Sequence, residues 1–133
     1  MKTIVQKVKF KATPQELFDL YMDSKKHSEA TGGKAVLSKN AGGSFLAWDG
    51  YIEGKNLVLV PGRLIVQAWR TSEFKKSDLD SVLVLTLEKA VGGSLLTMTH
   101  TAVPDAIAPH FNKGWKTHYW KPFEKYLKTR KNK

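Results

Sequence analysis

Hydrophobic and polar positions change their period three times along this chain. Over residues 3–11, Ile4, Val8 and Phe10 share one parity while Lys7, Lys9 and Lys11 share the other. That alternation predicts a half-buried strand with a polar outer face. Thr13-Pro14-Gln15-Glu16 follows, with a capping residue, a proline suited to the first helical position, and a glutamate three residues after the cap. The pattern predicts a helix from there to about Met22 that buries Leu17, Phe18, Leu20 and Tyr21. Asp23-Ser24 interrupts and recaps it, and a second short helix over 25–30 ends at Gly32-Gly33.

The period then returns to two. Strands are predicted at 34–38 and 44–48, separated by a turn at Asn40-Ala41-Gly42-Gly43, and Asp49-Gly50 carries a hairpin-turn signal. The strand at 51–53 continues through a bulge or turn at Gly54-Lys55-Asn56 to 57–60, and Pro61-Gly62 turns the chain into a strand over 64–71. A polar loop at 72–80 leads to strands at 81–89 and 95–103, joined at Gly92-Gly93. Consecutive strands with short turns predict an antiparallel meander. Leu96, Met98 and His100 share the apolar parity of the last strand, and Ile65, Gln67 and Trp69 share one parity of the strand at 64–71. His100 and Gln67 are therefore expected to point inward, the latter as a buried amide that needs partners.

After an irregular stretch at 104–109 the helical period reappears. A long helix beginning near Phe111–Gly114 places Trp115, His118, Tyr119, Pro122, Phe123 and Tyr126 on one stripe, with lysines on the other face. Pro122 removes a backbone donor and is expected to kink it. The order is strand, two short helices, about six more strands, and a long helix. The expected fold is α+β, a curved antiparallel sheet of about six or seven strands wrapped around the C-terminal helix. A gap at the mouth of such a grip is the natural ligand site.

Composition narrows the function. With 133 residues the expectation is one domain over 1–133, ending in a disordered basic tail at about 130–133. There is no cysteine, so disulfides, thiolate zinc sites and thiol nucleophiles are excluded. No apolar run reaches the roughly 18 residues of a membrane span and no secretion signal opens the chain, so the expectation is a cytoplasmic protein with no membrane association. Net charge is +10, and residues 113–133 hold eight basic residues against one acid, Glu124. Such a block suits a solvated helix face, with Lys121, Lys125 and Lys128 as candidates for contacting an acidic partner. Nucleic acid is not expected, because the aromatics that would stack on bases lie opposite most of the lysines.

Site chemistry is sparse. His27, His100, His110 and His118 lack ligand spacing, so no metal is expected. Asp78 and Asp80 are expected as solvated loop charges. No nucleophile elbow, Walker loop or dinucleotide fingerprint occurs, and no cofactor or catalytic residue is assigned. What remains are polar groups among apolar ones. Trp48, Gln67, Trp69, Met98, His100, Trp115, His118 and Tyr119 are the candidate lining of a ligand cavity.

Four segments carry a family resemblance: Gly42-Gly43-Ser44-Phe45, Trp48-Asp49-Gly50-Tyr51-Ile52-Glu53-Gly54, Ile65-Val66-Gln67-Ala68-Trp69-Arg70, and the run from Gly114 to Pro122. Together they resemble the activators of the 90-kDa heat-shock protein ATPase, in their C-terminal domain and stand-alone relatives, within the START-like (SRPBCC) superfamily. The resemblance runs from Val5 to Leu127. It implies a helix-grip fold, in agreement with the element order. It also implies function. The leading expectation is a non-enzymatic domain that holds a hydrophobic small molecule between sheet and helix, with a stress-response role. The alternative is a chaperone-contacting module using the basic helix, and an enzyme built on His100 stands third. The eukaryotic activator's N-terminal domain, which carries much of its stimulating activity, is not expected within these 133 residues.

Overall fold

The computed structural model describes residues 1–130. Seven strands form one antiparallel sheet: β1 (Lys2–Phe10), β2 (Val36–Leu37), β3 (Ser44–Ala47), β4 (Ile52–Val60), β5 (Leu64–Thr71), β6 (Ser81–Ala90) and β7 (Gly93–Val103). Their order is β1-β7-β6-β5-β4-β3-β2, so β1 crosses to pair with the last strand and the remainder is a meander. Between β1 and β2 lie α1 (Pro14–Met22) and α2 (Ser24–Thr31). After β7 a helix runs as α3 (Ala108–Trp115), a π-helical turn (Lys116–Trp120) and α4 (Lys121–Arg130). This is the helix-grip fold. The expected basic tail concerns residues 131–133, which lie outside the described residues.

Local chemistry explains the helix ends. Thr13 N–H donates to Glu16 Oε1 at 2.9 Å and Glu16 N–H donates to Thr13 Oγ1 at 3.1 Å, a reciprocal cap that starts α1. Asp23 closes α1 through its backbone and opens α2 by accepting from Lys26 N–H at 3.0 Å. That bond, with help from Lys39, holds the Asp23 carboxyl below the ordinary range. Gly32, at φ 86°, ends α2 in the left-handed conformation that glycine adopts without strain.

One element settles an alternative that the sequence left open, and two differ from the sequence expectation. β4 is one strand, and the signal at Gly54-Lys55-Asn56 resolves as a bulge: Asn56 pairs Gln67, Val58 pairs Val66, and Leu57 is the extra residue. Asp49-Gly50 is not a two-residue hairpin. Trp48, Asp49 and Gly50 all take positive φ (50°, 58° and 93°), so the turn starts one residue earlier and re-aims the Trp48 side chain. The C-terminal helix starts at Ala108, and its buried stripe is Phe111, Trp115, Tyr119, Trp120, Phe123 and Leu127, with His118 exposed and Pro122 and Tyr126 half-buried. An α-helix turns about 400° in four residues, so a strict four-residue repeat drifts about 40° per step. The wider π turn, in which Lys121 N–H reaches Lys116 C=O, takes up part of that drift and brings Trp120 inside.

Candidate functional site

A cavity of about 580 Å³ opens where the C-terminal helix leaves the sheet. Its helix wall comes from His110, Phe111, Gly114, Trp115, His118 and Tyr119. The sheet wall is Ile52 on β4 and Trp69 at the end of β5. The third side is Trp48 and Tyr51 from the left-handed turn, with Glu73 from the β5–β6 loop. Glu73, His110 and His118 are exposed and mark the mouth, whereas Ile52, Trp69, Phe111, Trp115 and Tyr119 are buried and form the interior.

The rings meet at different angles, so the walls are not a stack. Trp115 lies 4.7 Å from Tyr119 and 5.6 Å from Trp69, tilted 41° and 32° respectively. Phe111 stands perpendicular to Trp69 at 5.3 Å, and Trp48 meets His118 edge to face at 5.5 Å. Trp48 rests on Gly33, where a Cβ would fall 2.4 Å from the indole. That contact accounts for a glycine directly after the helix-ending Gly32.

At the mouth the Tyr51 hydroxyl donates to Glu73 Oε1. Burial and the Glu73 carboxylate push the Tyr51 phenol up to about 12. The loop that carries Glu73 is braced. Arg70 donates to Asp80 Oδ1 at 2.8 Å, to Asp78 C=O at 3.2 Å and to Lys75 C=O at 2.9 Å, and Asp78 accepts from Lys75 N–H at 2.8 Å. Asp78 and Asp80 are thus not idle solvated charges but hold the Glu73 loop in place.

Of the residues singled out from sequence, Trp48, Trp69, Trp115, His118 and Tyr119 meet around the cavity, and Gln67, Met98 and His100 do not line it. All three of the latter are fully buried on the concave face, behind the cavity wall. Trp115 Nε1–H donates to His100 Nδ1 at 3.2 Å. The neutral ring therefore carries its proton on Nε2, which donates to Ser81 Oγ at 2.8 Å, and Ser81 passes its own hydroxyl to Trp69 C=O at 2.6 Å. Burial pushes His100 down to about 3. It is an uncharged strut between sheet and helix, neither reachable by solvent nor paired with an acid.

Gln67 belongs to a second chain of bonds. It accepts from the Tyr21 hydroxyl at 2.8 Å and donates to Asn56 Oδ1 at 2.9 Å, and Asn56 donates to Ser38 C=O at 2.7 Å. Burial and the nearby Tyr119 phenol push the Tyr21 phenol well above its ordinary range. His27, which the sequence left unassigned, is buried against the Tyr119 wall. Tyr21 C=O can only accept, so His27 Nδ1–H donates to it at 2.8 Å and leaves Nε2 to take the Tyr119 hydroxyl at 3.3 Å. Desolvation lowers the His27 pKa and raises that of Tyr119. Gln6 was also missed. It accepts from Trp120 Nε1–H at 2.7 Å and donates to Asn112 C=O at 2.7 Å, fastening helix to β1.

Lys121, Lys125 and Lys128 are exposed on α4 and do not line the cavity, and Lys128 pairs with Glu124 at 3.4 Å. Lys121 and Lys125 flank a surface groove with Glu29, Pro122 and Tyr126. Among the described residues no group of three His, Asp or Glu side chains is placed to hold a metal ion. No described helix is long and apolar enough to cross a membrane.

Comparison with known proteins agrees with this architecture. An HSP90 activator from Plasmodium falciparum superposes with a TM-score of 0.88 at 18% identity, covering 96% of each chain. The activator of 90 kDa heat shock protein ATPase homolog of Dictyostelium discoideum is 30% identical over 118 residues, which are 86% of this chain and 30% of that protein. Human activator of 90 kDa heat shock protein ATPase homolog 1 is 26% identical over 117 residues, 88% of this chain and 34% of its own length. The chain thus spans about a third of the curated relatives it matches. The family described as Activator of Hsp90 ATPase homolog 1-like protein matches residues 11–128, and the chain belongs to that family.

Proposed function

We propose that this chain is a non-enzymatic binding domain that holds a hydrophobic small molecule between the sheet and the C-terminal helix. The observation that carries the reading is the cavity of about 580 Å³ walled by Trp48, Trp69, Phe111, Trp115 and Tyr119. Its size and aromatic lining suit a drug-sized apolar ligand. Burial of such a ligand contributes roughly 25 cal/mol for each Å² of apolar surface removed from water. Titration with fatty acids, sterols and flavonoids should give a saturable change in tryptophan fluorescence for at least one class.

Gly114→Leu supplies the control. A Cβ at Gly114 meets nothing nearer than His118 Cδ2 at 3.9 Å, so the side chain enters the cavity without disturbing the helix. The variant should fold and bind roughly tenfold or more weakly, because its side chain occupies the ligand's volume. A wild-type protein that responds to none of the three classes and to no other apolar compound of that size would sink the reading.

Family membership favours a second reading. The curated relatives are named for activation of the 90-kDa chaperone ATPase, and this chain would contact such a chaperone through Lys121, Lys125 and Lys128, in keeping with a stress-response role. Reversal of those charges tests it.

A further inference from the structure

The cavity lies in a protein with 22 Lys and Arg and 12 Asp and Glu, yet among the described residues no Lys or Arg lines it. Its one carboxylate is Glu73, at the mouth. Three donors of the wall are also spoken for. Trp115 gives its N–H to His100, Tyr119 gives its hydroxyl to His27, and Tyr51 gives its hydroxyl to Glu73. Trp69 Nε1 is buried within the protein, where it makes no hydrogen bond. An anionic head group entering this space would lose its water and meet no Lys or Arg, with the Trp48 indole and the two imidazoles at the mouth as the donors left to it. A cation meets the opposite surroundings. Indole and phenol rings stand on several sides, and an aromatic ring carries the negative end of its quadrupole on its face. With their N–H edges turned into the core, Trp69 and Trp115 present carbon surface to the cavity.

We propose that the site selects lipophilic organic cations, an ammonium group on an apolar or aromatic body, over carboxylates of the same size. The proposal rests on the cavity reading above and names its ligand class. The aromatic walls solvate the ammonium, the deep interior takes the apolar body, and Glu73 supplies the countercharge at the mouth. Tyr51 fixes the carboxylate in place by donating to one oxygen, which leaves the other free to face the ligand. The surplus of +10 works against any cation at long range, but its reach falls to about 8 Å at physiological salt. Contact with ring faces is worth about two- to thirty-fold in affinity.

The test compares three matched probes by calorimetry in about 0.15 M salt at one fixed pH. They are phenylpropyl-trimethylammonium, its uncharged isostere with carbon in place of nitrogen, and phenylbutyrate. The expected order is cation first, roughly tenfold tighter than the carboxylate, with the isostere between. Glu73→Gln keeps an acceptor for the Tyr51 hydroxyl and should shrink the cation-to-carboxylate ratio about threefold or more; Glu73→Lys should invert it. Equal binding of all three probes, tighter binding of phenylbutyrate, or a ratio that Glu73→Lys leaves unmoved would overturn the charge preference while the cavity reading stands. Binding of sterols or flavonoids with no binding of the ammonium probe would do the same. No binding of any apolar compound would remove both.

Discussion

His100 shows how one buried side chain couples this fold to pH. Its pKa is pushed down to about 3 by burial, whereas an unfolded chain's imidazole titrates near 6.5. Below about pH 6.5 the unfolded state therefore binds a proton that the folded state refuses. Stability is complete above that value and declines as pH falls toward 3. Between pH 7 and pH 5 this group alone costs about 2 kcal/mol, and His27, lowered by the same desolvation, acts in the same direction. Urea unfolding at the two pH values reads the loss. The window lies above the range in which depressed carboxylates such as Asp23 begin to contribute, so imidazoles are the groups being measured. A flat stability between pH 7 and pH 5 would mean that His100 is solvated in the folded protein. Strand parity places His100, Met98 and Gln67 on the concave face, and the structure has them there. Parity says nothing about which concave residues stand in front of which. The partners that seal them off, Ser81, Asn56 and Tyr21, are 11 to 46 residues away in sequence.

At the scale of elements, the strands and caps were legible because each signal is local. The capping box of α1, the meander turns and the length of β5 need only neighbours in sequence. The C-terminal helix was legible in kind but not in phase. Its aromatic spacing of four residues fits a helix that widens at Lys116–Trp120, and nothing local marks that turn except Pro122, which cannot donate to the preceding carbonyls. Two glycines test the packing around these elements in opposite directions. Gly114 lies inside α3 with open space at its Cβ position, so Gly114→Ala should stabilise by about 0.5–1 kcal/mol through helix propensity and a more restricted unfolded chain. Gly54 lies on β4 where a Cβ would fall 1.9 Å from Ala68 C=O on the neighbouring strand. Backbone cannot yield there without breaking the β4–β5 pairing, so Gly54→Ala should cost about 3 kcal/mol or more. Thermal unfolding of the pair reads both signs. Tolerance of Gly54→Ala would show that β4 and β5 lie further apart than the register requires.

For the molecule as a whole, the charge distribution separates the two proposed functions. The cavity is lined without a lysine, and the groove beside α4 is flanked by Lys121 and Lys125. No residue is common to the two linings, so substitutions can be made in one without changing a residue of the other. Binding of a 90-kDa chaperone through the helix face would be an encounter of exposed charges. Its affinity should fall steeply as salt rises, because exposed charges beyond roughly 10 Å are screened at about 0.1 M. Lys121→Glu, Lys125→Glu and Lys128→Glu combined should weaken it about ten- to hundred-fold, taking about 0.5–1 kcal/mol for each exposed pair lost. The same triple variant should bind the cavity's ligand as the wild type does, and Glu73→Gln should leave chaperone affinity unchanged. Calorimetry of the purified chaperone against each variant, at two salt concentrations, reads all of these. Chaperone binding that survives the triple reversal, or that ignores salt, would move the contact off this helix. Loss of both activities in the triple variant would mean that the helix charges hold the grip itself together, which their exposure on α4 argues against.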